Sequence, residues 1–193
     1  ARSACLENGQ CKLTKNKKRI LMSEAMNRDG LLALYAYNAY ANKLVLDTAE
    51  KLTSDEFTRK SSPSHDSVRG ILAHMLECEA YFLSLCQGLP IMAEAAGLPD
   101  LGSIRRTWDE FEQRQMGFLR TLQDTALTRP VQMQIRGRQL VFPIWQMLTQ
   151  AMIHSTHHRG ELSIVLTELG YPLPTLDIIG HFIQQSGQSW PDA

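Results

Sequence analysis

The run His154-Ser-Thr-His-His158-Arg-Gly-Glu161 decides how this chain is read. It lies inside a largely apolar stretch from Pro143 to Leu169, which the pattern predicts as one helix. Residues four apart stack on one face of a helix, so His154 and His158 can aim both imidazoles at one point. His157 is displaced from His158 by about 100° round the helix and cannot join that pair in the same way. Two neutral imidazoles at this spacing are a common half-site for a divalent transition metal. A single histidine on an apolar helix is more often a hydrogen-bonded core or groove residue, so the pair alone leaves both readings open.

Outward from this run, the chain holds three more long helical patterns. The first covers about Asp29 to Leu52, with Leu31, Leu34, Tyr35, Leu44, Val45 and Ala49 at three- and four-residue steps. Ser54-Asp55-Glu56 reads as the start of a polar connection that ends near Pro63-Ser64. The second runs from Ser67 to Gln87, with Ser67 or Asp66 as N-cap, an apolar stripe through Val68, Ile71, Leu72, Met75, Leu76, Phe82 and Leu85, and a stop at Gly88-Leu-Pro90. The third runs from Ser103, as its cap, to about Thr125, with Ile104, Trp108, Phe111, Phe118 and Leu122 turned inward. Met92 to Ala96, between these two, is predicted as a short helical turn.

The period then changes. Val131, Met133 and Ile135 alternate with Gln132, Gln134 and Arg136, which is a strand pattern, and Gln139 to Phe142 can pair back across an Arg136-Gly137 turn. Pro143 suits the first turn of the last long helix, and Gly170 its left-handed cap. Thr175 to Gln185 is predicted as one more short helix. The expectation is an all-α protein: a four-helix bundle with a small β-hairpin before the last long helix.

Composition narrows the function classes. Of 193 residues, 20 are Lys or Arg and 20 are Asp or Glu, so the net charge is zero and no nucleic-acid footprint shows. No apolar run of about 18 residues is present, so no membrane span is expected. Residues 1–21 are basic around Lys12 to Arg19, lack the apolar core of a secretory signal, and read as a flexible tail, native or left over from expression; 22–193 read as one domain. Cys5, Cys11, Cys78 and Cys86 show no C-x-x-C spacing and no disulfide-dense pattern, which suits a reducing cytoplasm; Cys78 and Cys86 read as small core or half-buried residues, with a ligand or nucleophile role the lesser alternative.

His74 lies mid-helix beside Ala73, Met75 and Leu76. A third imidazole from a second bundle helix would let three cap one side of a metal and leave the other side open to water or substrate, as catalytic sites do. At this point the chain resembles a known family, the DinB/YfiT-like metalloenzymes, which are unrelated to the translesion polymerase sharing the first name. Tyr37-Asn38-Ala39-Tyr40-Ala41-Asn42, Ile71-Leu72-Ala73-His74 and His154-Ser-Thr-His-His158-Arg-Gly160 look like its three motifs, and the order of helices and hairpin fits from Asp29 to Gln184. The resemblance implies one divalent metal, nickel, zinc or iron, held by His74, His154 and His158. It also implies a small-molecule substrate, a homodimer, and chemistry of the thiol S-transferase or thiol-dependent isomerase type with a low-molecular-weight thiol. A metal-dependent hydrolase and a non-catalytic metal-binding stress-response protein are the competing expectations.

One position departs from the family pattern, Glu161 where Gln is common. Three residues after His158 and on nearly the same face, it is read as an orienting carboxylate, a fourth ligand, a general base, or a solvated partner of Arg159 or Arg69. Glu77 follows His74 by the same step, but Asn38 and Asn42 on the first helix do not supply the carboxylates of a two-metal site. Arg159 and Gly160 are read as packing residues, with Gly160 admitting a close helix.

Overall fold

Side chains set where each helix begins, and the computed structural model, which describes residues 26–91, 93–95 and 97–189, shows how. In chain order the elements are α1 (Arg28–Ala49), α2 (Ser54–Thr58), α3 (Val68–Gln87), α4 (Leu101–Thr121), a 3-10 turn over Asp124–Thr128, β1 (Pro130–Ile135), β2 (Arg138–Pro143), α5 (Ile144–Glu168) and α6 (Ile178–Gln185). Asn27 caps α1 by accepting from Gly30 N, and Ser67 caps α3 by accepting from Gly70 N. The cap of α4 is Asp100, which forms a reciprocal capping box with Ser103, so Ser103 is the box's second member and not the cap. Residues expected as a polar connection form α2, because Thr53 and Glu56 make a second capping box there. The predicted N-terminal tail and both ends of the Met92–Ala96 turn lie outside the described residues; Ala93 to Ala95 between them are not helical.

The hairpin pairs Val131 with Phe142 and Ile135 with Arg138, which leaves Arg136-Gly137 as a two-residue turn. Both turn residues have positive φ, 49° and 75°, the type I′ geometry that matches strand twist. α5 ends as expected at Gly170 (φ 89°), with Tyr171 N donating to Leu166 O at 2.8 Å and Gly170 N to Thr167 O at 3.0 Å. Among the described residues no helix is long and apolar enough to cross a membrane.

α3 packs on α5 and α4, and α1 packs on α5 and α4. The apolar core falls into two clusters, one around Trp108, Phe111, Ile71, Met75 and Leu166, the other around Tyr35, Leu31, Leu119, Ile144 and Leu148. Each fully buried side chain of this kind contributes about 1.5–3 kcal/mol. The order of clusters along each helix makes α1 and α5 run one way and α3 and α4 the other. Between the clusters the same helical stripes carry polar residues: Asn38 and Asn42 on α1, Glu79 on α3, Gln115 on α4, Ser155 and Arg159 on α5, all buried.

Candidate metal centre

His74 and Cys78 stand one helical turn apart on α3, and His154 and His158 one turn apart on α5, which faces it. The two helices place the three expected histidines as neighbours, but no single set of donor atoms within 4.8 Å holds all three: His154 groups with His74 and Cys78, and His158 with His74 and His65. Ring centroids are 5.1 Å apart for His74 and His154, 4.8 Å for His74 and His158, and 4.6 Å for His154 and His158. His74 Nε2 lies 3.0 Å from His154 Nε2. His158 is buried, whereas His74 and His154 are half-exposed. His157 is exposed; its ring lies edge-on to His158 at 5.1 Å, and it belongs to neither set of clustered donor atoms.

Burial, reinforced by the neighbouring His65, His158 and His154 rings, pulls the His74 pKa down to about 4. Burial and the other rings lower His154 as well. Both imidazoles are therefore neutral at physiological pH, with lone pairs available. His158 Nδ1 is 3.0 Å from Glu161 Oε2, so its Nδ1 carries the hydrogen in that bond and its Nε2 is the free nitrogen.

A fourth imidazole joins these. His65 comes from the loop between α2 and α3; its ring stacks on His74 at 3.8 Å and 19°, and lies 5.1 Å from His158. The loop's serines, Ser62 and Ser64, both donate their hydroxyls to Glu161 Oε1. Burial would raise the Glu161 pKa, but these two hydroxyls and His158 more than offset it and hold the carboxyl at about 2. Glu161 thus bonds neither Arg159 nor Arg69. Donor atoms within 4.8 Å of one another form two sets that share His74: His65, His74 and His158, and His74, Cys78 and His154.

His65 has no helical period to mark it in the sequence, because a loop residue reaches the site through tertiary packing alone. Cys78 did carry a signal: His74 and Cys78 have the same four-residue spacing as His154 and His158. Its Sγ is 3.5 Å from His74 Nε2, and burial, with Glu77 and Glu79 adding, pushes its thiol up to about 11. Cys86 is fully buried in the core. Glu77 turns away and accepts from Ala95 N at 2.7 Å, so it anchors the loop before α4.

Arg159 is more than a packing residue. It is 1 % exposed and donates to Asn38 Oδ1 at 2.7 Å, Asn42 Oδ1 at 2.6 Å and Thr156 Oγ1 at 2.8 Å. Glu79, fully buried, accepts from Asn38, Asn42 and Ser155 on one oxygen and from Gln115 on the other. The two asparagines therefore bridge a buried cation and a buried carboxylate. Gly160 meets no neighbouring atom within 4 Å of where a Cβ would sit, so no helix approaches it. It lines an open cleft of about 680 Å³ with Tyr37, Thr156 and residues 173–178, on a different face of α5 from His154 and His158.

Fold and site together define a four-helix bundle protein with a histidine-rich cluster able to hold a metal ion. The chain belongs to the DinB family, whose family model matches residues 22–187. It is 22% identical over 152 residues to Protein DinB of Bacillus subtilis (strain 168), a match that covers 74% of this chain and 88% of that one. Its fold is similar to the crystal structure of a DinB-like protein from Bacillus cereus ATCC 10987, with a TM-score of 0.61 at 19% identity, covering 76% of this chain and 95% of that one.

Proposed function

We propose that this chain holds one divalent metal ion, nickel, zinc or iron, through His74, His154 and His158, and acts as a metal-dependent enzyme of the thiol S-transferase or thiol-dependent isomerase type. The observation that carries the metal reading is the 3.0 Å approach of His74 Nε2 to His154 Nε2 across two helices. Two nitrogens each about 2.1 Å from one ion lie roughly 3.0–3.4 Å apart, from right-angled to tetrahedral ligation, so the observed spacing is at the short end of that range. Two half-exposed, neutral imidazoles on facing rigid helices suit ligation with a side left open.

The metal would supply Lewis acidity, lowering the pKa of a thiol or water bound beside it. The residues of the chain do the rest. His158 is held in one tautomer by Glu161, and Glu161 is held by Ser62 and Ser64. With both oxygens engaged and a pKa near 2, Glu161 is better suited to orienting His158 than to moving a proton at neutral pH. A metal-dependent hydrolase is the second enzymatic reading, and a non-catalytic metal-binding stress-response protein the third. The proposal includes residues 22–193 as one domain behind a tail of residues 1–21, a small-molecule substrate, a homodimer and a cytoplasmic setting, all carried by family resemblance and composition.

Elemental analysis of protein purified without a nickel column tests the site. One equivalent of metal, lost in His154→Ala, is expected. Substoichiometric metal that His154→Ala leaves unchanged would falsify the site. Thiols added with an electrophile to the Ni-, Zn- or Fe-loaded protein test the activity. Thiol-dependent turnover and a thiol-dependent change in the metal spectrum are expected; neither, with any thiol, sinks thiol transfer and leaves the hydrolase reading.

A further inference from the structure

The loop between α2 and α3 is built with unusual constraint. Ser67 N donates to His65 O at 2.7 Å, and Asp66 between them has φ 63°, a tight left-handed turn at a residue that is not glycine. Ser61 N and Ser62 N both donate to Asp66 O, at 2.7 and 3.1 Å. Gly70, in the first turn of α3, sits directly under this loop: a Cβ there would fall 1.9 Å from His65 O. Only glycine admits the His65 backbone so close to the helix. The far side is pinned by Ser62 and Ser64 on Glu161. Strained backbone held by this many ties is found where a side chain must be presented in one place. The side chain presented is His65, whose ring lies against His74 and near His158.

We propose that His65 is a fourth metal-binding imidazole of this site, delivered by the pinned loop to join ligands on α3 and α5. Its donor atom already lies within 4.8 Å of those of His74 and His158. In the stacked arrangement its ring lies nearly parallel to that of His74, so ligation would turn the His65 ring about its side-chain torsions while the backbone stays fixed. A four-imidazole set would favour borderline transition metals over hard oxygen-seeking cations. The inference rests on the metal reading above.

The experiment separates ligation from stacking. Zn2+ affinity is measured by chelator competition, and the metal's neighbours by zinc X-ray absorption and by the Co2+ visible spectrum, for wild type, His65→Ala, His65→Phe and His154→Ala. Phenylalanine keeps a stacking ring and removes the donor. Loss of a ligand should exceed the ~10–100-fold that loss of an orienting partner costs, so both His65 variants should bind Zn2+ at least about 100-fold more weakly and lose one imidazole from the metal shell. Folding is checked by circular dichroism of the metal-free proteins. Wild-type affinity and spectra in His65→Phe overturn the proposal, whatever His65→Ala does, because the ring then only stacks. If His154→Ala abolishes binding while the His65 variants match wild type, the metal reading stands and the fourth ligand falls. If wild type takes up no metal, both fall.

Discussion

α3 and α5 meet through two polar clusters of opposite character. In the Glu79 layer four donors satisfy one buried carboxylate, and Arg159 is held by Asn38, Asn42 and Thr156. In the imidazole cluster His74 and His154 turn like nitrogens toward each other, and only one proton can sit between them. The first layer pairs its buried carboxylate and guanidinium through the two asparagines; the second gathers neutral imidazoles from two helices and a loop beside a partly open side. Completed hydrogen bonding makes a polar cluster structural, and neutral imidazoles converging from facing helices beside an open side make one a candidate metal centre.

The comparison breaks most sharply by mutation. His74→Ala and His154→Ala should abolish metal binding, a loss of at least about 100-fold beside the ~10–100-fold of an orienting partner, while leaving the melting temperature of the metal-free protein near wild type. Titration of each variant with Zn2+ and a thermal scan give both numbers. Glu79→Ala should do the reverse. Removing one member of a buried charged network costs about 3–5 kcal/mol, which lowers the melting temperature on the order of 10 °C for a chain this size. A small shift would show that the layer is not sealed.

Glu161→Ala lies between the two. It should weaken Zn2+ affinity ~10–100-fold by freeing the His158 ring, and lower stability less than Glu79→Ala does, because Glu161 is partly exposed whereas Glu79 is fully buried. Unchanged affinity would detach Glu161 from the site.

Acid–base behaviour gives a subtler contrast. Burial, with the Glu79 carboxylate adding, raises Glu112 to about 7. A group whose folded pKa lies above its unfolded value favours folding in its protonated form, so the Glu112 contribution is full below about 4.5 and is lost as pH rises through 7. Denaturant midpoints measured from pH 4.5 to 7.5 should fall less steeply in Glu112→Gln; parallel curves would contradict this. Glu161 has the opposite sign. Its folded value of about 2 makes its contribution present above 4.5 and lost as pH falls toward 2. The smallest expected effect is Gly160→Ala, which meets nothing within 4 Å and should raise stability by about 0.5–1 kcal/mol through helix propensity. Gly70→Ala should lower stability instead, since its Cβ would strike the His65 carbonyl.

Much of this was legible before folding, for local reasons. The hairpin register follows from a two-residue turn and alternating side chains. Ser67, Gly88 and Gly170 mark helix ends because caps satisfy amides and carbonyls a few residues away. The α2 box was equally local, and Thr53 followed by Glu56 is its signature. The pairing of His154 with His158 is a property of one helix.

Other features belong to packing. Asn38, Asn42 and Arg159 read as motif or packing residues until three helices close around Glu79, because a hydrogen-bond partner more than 70 positions away leaves no periodic trace. Glu161 departs from its family's pattern in one letter, yet its role turns on Ser62 and Ser64, nearly one hundred residues earlier. The sequence by itself determined the helices, the hairpin and which histidines share a face, since those depend on repeats of 3.6 and 2 residues. Only the tertiary structure decided that His65 and the α3 pair of His74 and Cys78 stand beside His154 and His158 and that Arg159 is buried, since those depend on which faces of distant segments are pressed together when the apolar core forms.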